Sequence, residues 1–342
     1  MMEQDGEGVG MREVGVAILG LGTIGSAVAK AIEEQRTFLS ARYGLAPVVR
    51  AVLERSPARA TRANLPPDVI TTDLATVLSD PGVEVVVEVL GREYPACQFM
   101  MRALKAGKHV VTANKEALAK HFGELATTAH AEQRALLFEA SVGGGIPLIV
   151  SYRQILAANR VTRIRGIING TTNFILSQMA ERGVSYEDAL AEAQRLGYAE
   201  PDPEADVEGY DAMYKLAILA SLMVGRQVLP EEVERTGITG VTGEQAADAW
   251  ARGGAIKLIA SATWNQAKLS LRVAPTFISG SELLAHVGGN FNAVELVGDR
   301  VGPVVLSGQG AGPLPTASAV LSDIIEAARS GALATPTLEA GH

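Results

Sequence analysis

Cysteine is nearly missing from this chain: Cys97 stands alone among 342 residues. No disulfide can form within it, which argues against a cross-linked secreted scaffold and fits a reducing, cytoplasmic setting. Positive charge is also short. The net charge is −8, so no basic surface points to nucleic acid or to an anionic membrane. Residues 1–12 are acidic and contain glycine, and no apolar segment long enough to span a bilayer follows them. They read as a frayed N-terminal tail, and residues 331–342 as a second one. The third scarcity is lysine, because the chain draws its positive charge mostly from arginine. A lysine in an apolar setting here is a specific choice.

What is present is an alternation of strand and helix. Apolar runs at 14–20, 47–54, 83–90, 109–113 and 135–140 are separated by helical patterns. That order predicts a parallel sheet with helices on both faces. After residue 146 the pattern changes. Helices are expected at 147–158, 173–182, 186–196 and about 207–224. Strands are expected at 162–168, 256–264, 268–275 and 292–306, the last three antiparallel. This suggests an α+β second domain (147–306), with 307–330 returning to complete the first (13–146).

Gly20, Gly22 and Gly25 form G-x-G-x-x-G between the first strand and the first helix. Such a loop makes a tight turn, lets backbone approach a pyrophosphate, and presents the helix N-terminus, here Thr23 and Ile24, to the phosphates. The first domain is therefore read as a Rossmann-type, doubly wound dinucleotide fold. The second strand ends in Glu54 and Arg55. An acid there binds a ribose hydroxyl, whereas an arginine takes a 2′-phosphate. Arg55, with Arg59 and Arg62 nearby, tips the balance towards NADP over NAD.

Ligands of such sheets sit beyond the carboxyl ends of the strands. Three segments arrive there: Val89-Leu90-Gly91, "TANK" ending in Lys115, and "EASVGGGIP" from Glu139 to Pro147. The last reads either as a domain hinge or as a small cation site, since hard cations take carboxylate and carbonyl oxygens.

Six carboxylates crowd into residues 200–211, and Lys215 follows in a stretch, 212–224, that carries no other charge. Asp206 is placed to cap the helix, and Asp211 and Lys215 are one turn apart on one face. A helix this apolar is buried nearly all round, so its lysine must be paired or line a cavity. Desolvation favours the neutral amine, a proton-transfer group, and the neighbouring carboxylate opposes that. Acids in the loop suit a substrate bearing an ammonium group, while Glu204 and Glu208 read as solvated.

Ala193, Gly197, Tyr198, Ala199, Asp202-Pro203, Asp206-Val207, Gly209, Asp211 and Lys215 together resemble the signature of the homoserine dehydrogenase family. "TANKEALA", "EASVGGGIP" and "GIINGTTNFILSQM" are also similar to it, so the likeness runs over about residues 14–330. The resemblance implies reversible, NAD(P)H-dependent reduction of aspartate 4-semialdehyde to homoserine. It implies Lys215 as proton donor, Lys115 beside nicotinamide and substrate, and Glu200 and Asp211 as substrate ligands. It implies sodium held by Glu139 with the backbone oxygens of Val142, Gly144 and Ile146, Gly312 returning to the cofactor, and a homodimer. Arg92 stands where the family more usually has the second glycine of a pair after Val89-Leu90. The chain stops soon after its closing helix, so feedback through a C-terminal regulatory domain is not expected.

Two rivals remain. One is another NAD(P)-dependent amino-acid or semialdehyde dehydrogenase of this architecture; a phosphorylating type is disfavoured because Cys97 lies inside a helix. The other is a nucleotide sensor, which has no need for the Lys115, Lys215, Glu200 and Asp211 set.

Overall fold

A computed structural model describes residues 11–62, 65–265 and 268–331. In its first half, β1 (Arg12–Leu19), α1 (Thr23–Tyr43), β2 (Leu45–Leu53), α2 (Pro57–Arg62), β3 (Ile70–Thr71) and α3 (Leu74–Ser79) come first. They are followed by β4 (Val85–Glu88), α4 (Glu93–Lys105), β5 (His109–Thr112), α5 (Lys115–Ala131) and β6 (Leu136–Leu137). The strands form one parallel sheet in the order β3-β2-β1-β4-β5-β6. Strand β4 is buried throughout, as a continuous apolar run between helical layers requires. The expected N-terminal tail, 1–12, does not extend to Arg12. Arg12 already belongs to β1, pairs with Leu45 and meets Glu84 at 2.7 Å. Most of both expected tails, 1–10 and 332–342, lies outside the described residues.

The second half runs α6 (Leu148–Leu156), β7 (Val161–Ile167), α7 (Gly170–Arg182), α8 (Tyr186–Arg195), α9 (Glu204–Val207) and α10 (Tyr210–Val224). Then come β8 (Glu234–Arg235), α11 (Gly243–Ala251), β9 (Gly254–Trp264), β10 (Leu269–Ser279), β11 (Phe291–Gly298), β12 (Gly302–Gln309) and α12 (Pro313–Ser330). The sheet order is β12-β11-β7-β9-β10-β8, antiparallel except for the short β8–β10 pair. The segment expected as one strand over 292–306 is a hairpin, β11–β12, which turns between Gly298 and Gly302. The closing helix α12 packs on α1 and on the first sheet. Residues 307–330 thus return to the first half. No helix among the described residues is long and apolar enough to cross a membrane.

One further element differs from its expected form, for a local reason. The helix expected from about 207 is two pieces, α9 and α10, because Gly209 between them has φ +81°. That left-handed backbone ends one helix, and glycine adopts it at no steric cost. Asp206 consequently lies inside α9 rather than capping the long helix, whose N-cap is Gly209. Beyond the break, every residue of α10 from Lys215 to Met223 is buried. Leu216, Ile218 and Leu219 are fully enclosed, each contributing roughly 1.5–3 kcal/mol.

Candidate active site

The glycine loop is built as its sequence demands. A Cβ on Gly25 would fall 1.9 Å from the carbonyl oxygen of Gly20, so only glycine lets α1 approach β1 this closely. Nothing stands within 4 Å of the corresponding position at Gly22, which leaves that face open to a ligand. No acidic residue sits in the first turn of α1, and the amides at Thr23 and Ile24 have no partner further back in the helix. The loop has the form a phosphate cradle requires.

Glu54 does something the sequence did not reveal. Its carboxylate accepts hydrogen bonds from the backbone N–H of Leu21 and of Ser56, both at 2.8 Å. Burial pushes its carboxyl up, but those two amides and Arg59, 3.8 Å away, outweigh this and hold it below the usual range. Glu54 therefore braces the glycine loop, while Arg55 beside it is exposed. The side chain of Arg62 lies outside the described residues.

The turn after β4 lies against the same loop: Leu90 and Val89 are the nearest neighbours of a Cβ built on Gly20. Gly91 has φ +89° with open space around it. Arg92 adopts ordinary extended backbone, φ −116° and ψ 160°, so a second glycine is not needed there.

A cavity of about 610 Å³ opens between the halves. Lys115, Glu200, Asp211, Lys215 and Gly312 all line it, together with Asn169 and Asp206. Lys115 is the first residue of α5, a helix capped by Asn114, whose side chain accepts from Ala117 N–H. Its Nζ lies 3.0 Å from Asp211 Oδ1. Lys215 Nζ donates to Asp211 Oδ2 at 2.7 Å and to the Ile168 carbonyl at 2.9 Å. Asp211 thus carries a lysine on each oxygen. It is 5% exposed. Burial alone would push its carboxyl up, yet Lys115, Lys215 and Asn169 hold it far below the ordinary carboxylate range. The same attraction raises Lys115 above the usual lysine value, Asp211 being the main cause.

Two residues that sequence reasoning did not assign to the site, Asn169 and Asp206, complete this wall. Asn169 caps α7, its Oδ1 accepting from Thr172 N–H at 2.8 Å, while its Nδ2 donates to Asp206 Oδ1 (2.6 Å) and Asp211 Oδ2 (2.9 Å). An asparagine between a strand and a helix was the available signal. Asp206 is pushed up by burial and then by Asp211, so it belongs to the cavity. Glu200 is exposed at the cavity mouth, and Gln194 donates to its backbone oxygen.

Glu139 sits apart from this cluster. It is 7% exposed, and its two oxygens accept from Ile149 and Val150 N–H at 2.7 and 2.8 Å, at the start of α6. Burial pushes it up against those bonds. The following turn carries Gly143 and Gly144 in left-handed backbone and packs against Gly310.

Comparison with known proteins settles the class. The homoserine dehydrogenase family profile matches residues 147–325, and the profile of that family's NAD-binding domain matches residues 20–139. The chain belongs to the homoserine dehydrogenase family. A homoserine dehydrogenase from Synechocystis is 43% identical over 321 residues, 91% of this chain and 72% of that protein. The homoserine dehydrogenase structure from Thiobacillus denitrificans superposes with TM-score 0.89 at 42% identity, covering 94% of this chain and 74% of that one. A hyperthermophilic archaeal homoserine dehydrogenase in complex with NADPH gives 0.81 at 30% identity, covering 96% and 100%. The family's activity is NAD(P)-dependent oxidoreduction at a CH–OH group, linking homoserine with aspartate 4-semialdehyde in amino-acid biosynthesis, and it is this chain's activity. The sensor and the other-dehydrogenase readings fall away.

Proposed function

We propose that the reduction is carried by the Lys115–Asp211–Lys215 cluster, with one half of the chain (11–146 and 307–330) holding NAD(P)H and the other (147–306) the substrate. The observation that carries this is a single buried carboxylate shared by two lysines, at 2.7 and 3.0 Å, on the wall of a cavity that also carries Gly312. The residues fit a dinucleotide: Gly20, Gly22 and Gly25 form the cradle, Thr23 and Ile24 offer amides to the phosphates, and Gly91 and Gly312 leave room at the far end. The bound dinucleotide supplies or accepts the hydride.

Lys215 protonates the alkoxide that develops as the aldehyde is reduced, and takes the proton back in the reverse direction. Asp211 keeps both ammonium groups in place; with its oxygens occupied by the lysines, it serves the substrate through them. Lys115 orients the carbonyl from the cofactor side. Glu200 at the mouth receives the substrate's ammonium group, beside Asp206 deeper in. Absorbance at 340 nm with homoserine and NADP or NAD reads the activity. A Lys215→Ala variant with unchanged turnover would remove the proton-donor assignment.

We further propose a preference for NADP. The exposed Arg55, beside Glu54 at the end of β2, supports this as the group that would meet a 2′-phosphate. Arg55→Ala should raise KM for NADP about tenfold, the size of one charged hydrogen bond, and leave that for NAD unchanged. A sodium ion fits Glu139 with the carbonyls of Val142, Gly144 and Ile146, since each oxygen already accepting an amide keeps a second lone pair. Its role is to stiffen the joint between the halves. Equal unfolding midpoints in sodium and choline chloride would refute it. A homodimer through the second sheet is the proposed assembly. Phe291 at the start of β11 and Leu283 in the connection before it, 46% and 68% exposed, support it, and sedimentation equilibrium tests it.

A further inference from the structure

Glu88 ends β4 at the middle of the first sheet, with no exposed surface at all. A carboxylate so placed is costly unless its oxygens are met by donors. All of the donors that meet it are neutral, and they come from the carboxyl ends of two neighbouring strands, β4 and β5. From the loop after β4, Leu90 N–H donates at 2.7 Å, and the Gly91 amide adds to it. From the end of β5 Thr112 Oγ1 donates at 2.7 Å, and from the turn after it Asn114 Nδ2 donates at 3.3 Å. The ring closes on itself. Asn114 N–H donates to Thr112 Oγ1 at 3.0 Å, and Asn114 Nδ2 reaches the Arg92 carbonyl at 2.9 Å. Asn114 Oδ1 then caps α5, whose first residue is Lys115.

One buried carboxylate therefore ties the turn carrying Gly91 to the helix start carrying Lys115. We propose that Glu88 is a positioning residue of the reduction: it sets the Gly91 turn and the origin of α5 in register, so that Lys115 reaches Asp211 while the cofactor side stays aligned with it. This rests on the assignment of Lys115 and Gly91 to the site. Glu88 touches neither substrate nor cofactor. A neutral, apolar residue at the end of β4 would satisfy the sheet equally well. What the carboxylate adds is two acceptor oxygens with lone pairs for four donors, which no amide matches. In Glu88→Gln one oxygen becomes a donor and faces either the Leu90 amide or the Thr112 hydroxyl.

A double-mutant cycle on the full chain tests this, read as turnover at 340 nm with homoserine and NADP, alongside NADPH fluorescence titration and thermal unfolding. Glu88→Gln should lower kcat at least tenfold in the parent. In a Lys115→Met background it should lower kcat less than twofold, because the group it positions is gone. Equal fold-losses in both backgrounds would make Glu88 merely structural and overturn the proposal, as would unchanged turnover in the parent. If Glu88→Gln does not fold, Thr112→Val removes a single donor; a loss of threefold or more that vanishes in the Lys115→Met background supports the proposal, and unchanged turnover overturns it. Lys115→Met alone separates the two readings. If it retains full turnover, the assignment of Lys115 to the site has failed, whatever Glu88 does.

Discussion

Lys215 at the start of α10 and Lys257 in β9 are almost equally buried, 8% and 3% exposed. Their surroundings differ in kind. Lys215 meets a carboxylate and one carbonyl, and it lines the cavity. Lys257 meets three neutral acceptors: Asn173 Oδ1 at 2.9 Å, Ser177 Oγ at 3.0 Å and the Val287 carbonyl at 2.8 Å. All three of its donors are used. Burial brings Lys257 down to about 8, a shift that Glu181 only partly offsets. Proton affinity alone would mark Lys257 as an acid–base group. It does not line the cavity, and its bonds instead pin the loop around Val287 to α7. Burial creates a perturbed lysine; a cavity and a spare donor make one useful.

The largest expected effect separates the two lysines directly. Lys215→Ala should cut kcat by about 10²–10⁴ with NADPH binding unchanged, whereas Lys257→Met should leave kcat within roughly threefold, the range of an indirect packing change. A hundredfold loss at Lys257 would erase the distinction. Next comes the shared anion. Asp211→Asn leaves two ammonium groups facing each other without their carboxylate; about 3 kcal/mol of stability should go, and kcat/KM should fall at least tenfold. Chemical unfolding and steady-state rates measure these.

The third test uses pH. The folded value of Lys257, about 8, lies below the unfolded value near 10.5. Below pH 8 both states hold the proton, and the folded state bears the full cost. Between about 8 and 10.5 only the unfolded state still binds it, so stability rises with pH. Relative to Lys257→Met, the parent should gain up to about 3 kcal/mol over that window. A flat difference in urea melts would show that Lys257 is not desolvated. The smallest effect is at the helix break. Gly209→Ala should cost about 1–2 kcal/mol for left-handed backbone, without altering the cluster one turn on.

Which parts of this were readable in advance follows from the range of the interactions. The glycine loop, the parallel strands and the Asp211–Lys215 pair rest on local spacing, and the sequence carries local spacing openly. Asp206 was misread because one glycine, three residues on, turned a continuous helix into two. The β11–β12 hairpin was missed because apolar residues flank both sides of a short Gly298–Gly302 turn. The bracing roles of Glu54 and Glu88 were not legible: their partners, Leu21 in one case and Thr112 with Asn114 in the other, lie 33 and about two dozen residues away. The only hint of Glu88 was a charge inside an otherwise apolar buried strand.

Lys115 enters the cluster from the first sheet's helix α5, and Lys215 from the second half's α10, yet one carboxylate serves both. The two halves are therefore not exchangeable parts. A chimera joining this chain's first half to a relative's second half would inherit a complete nucleotide cradle and a complete substrate wall. It would still be idle if the junction near Pro147 displaced one ammonium group by an ångström from the anion it shares with the other.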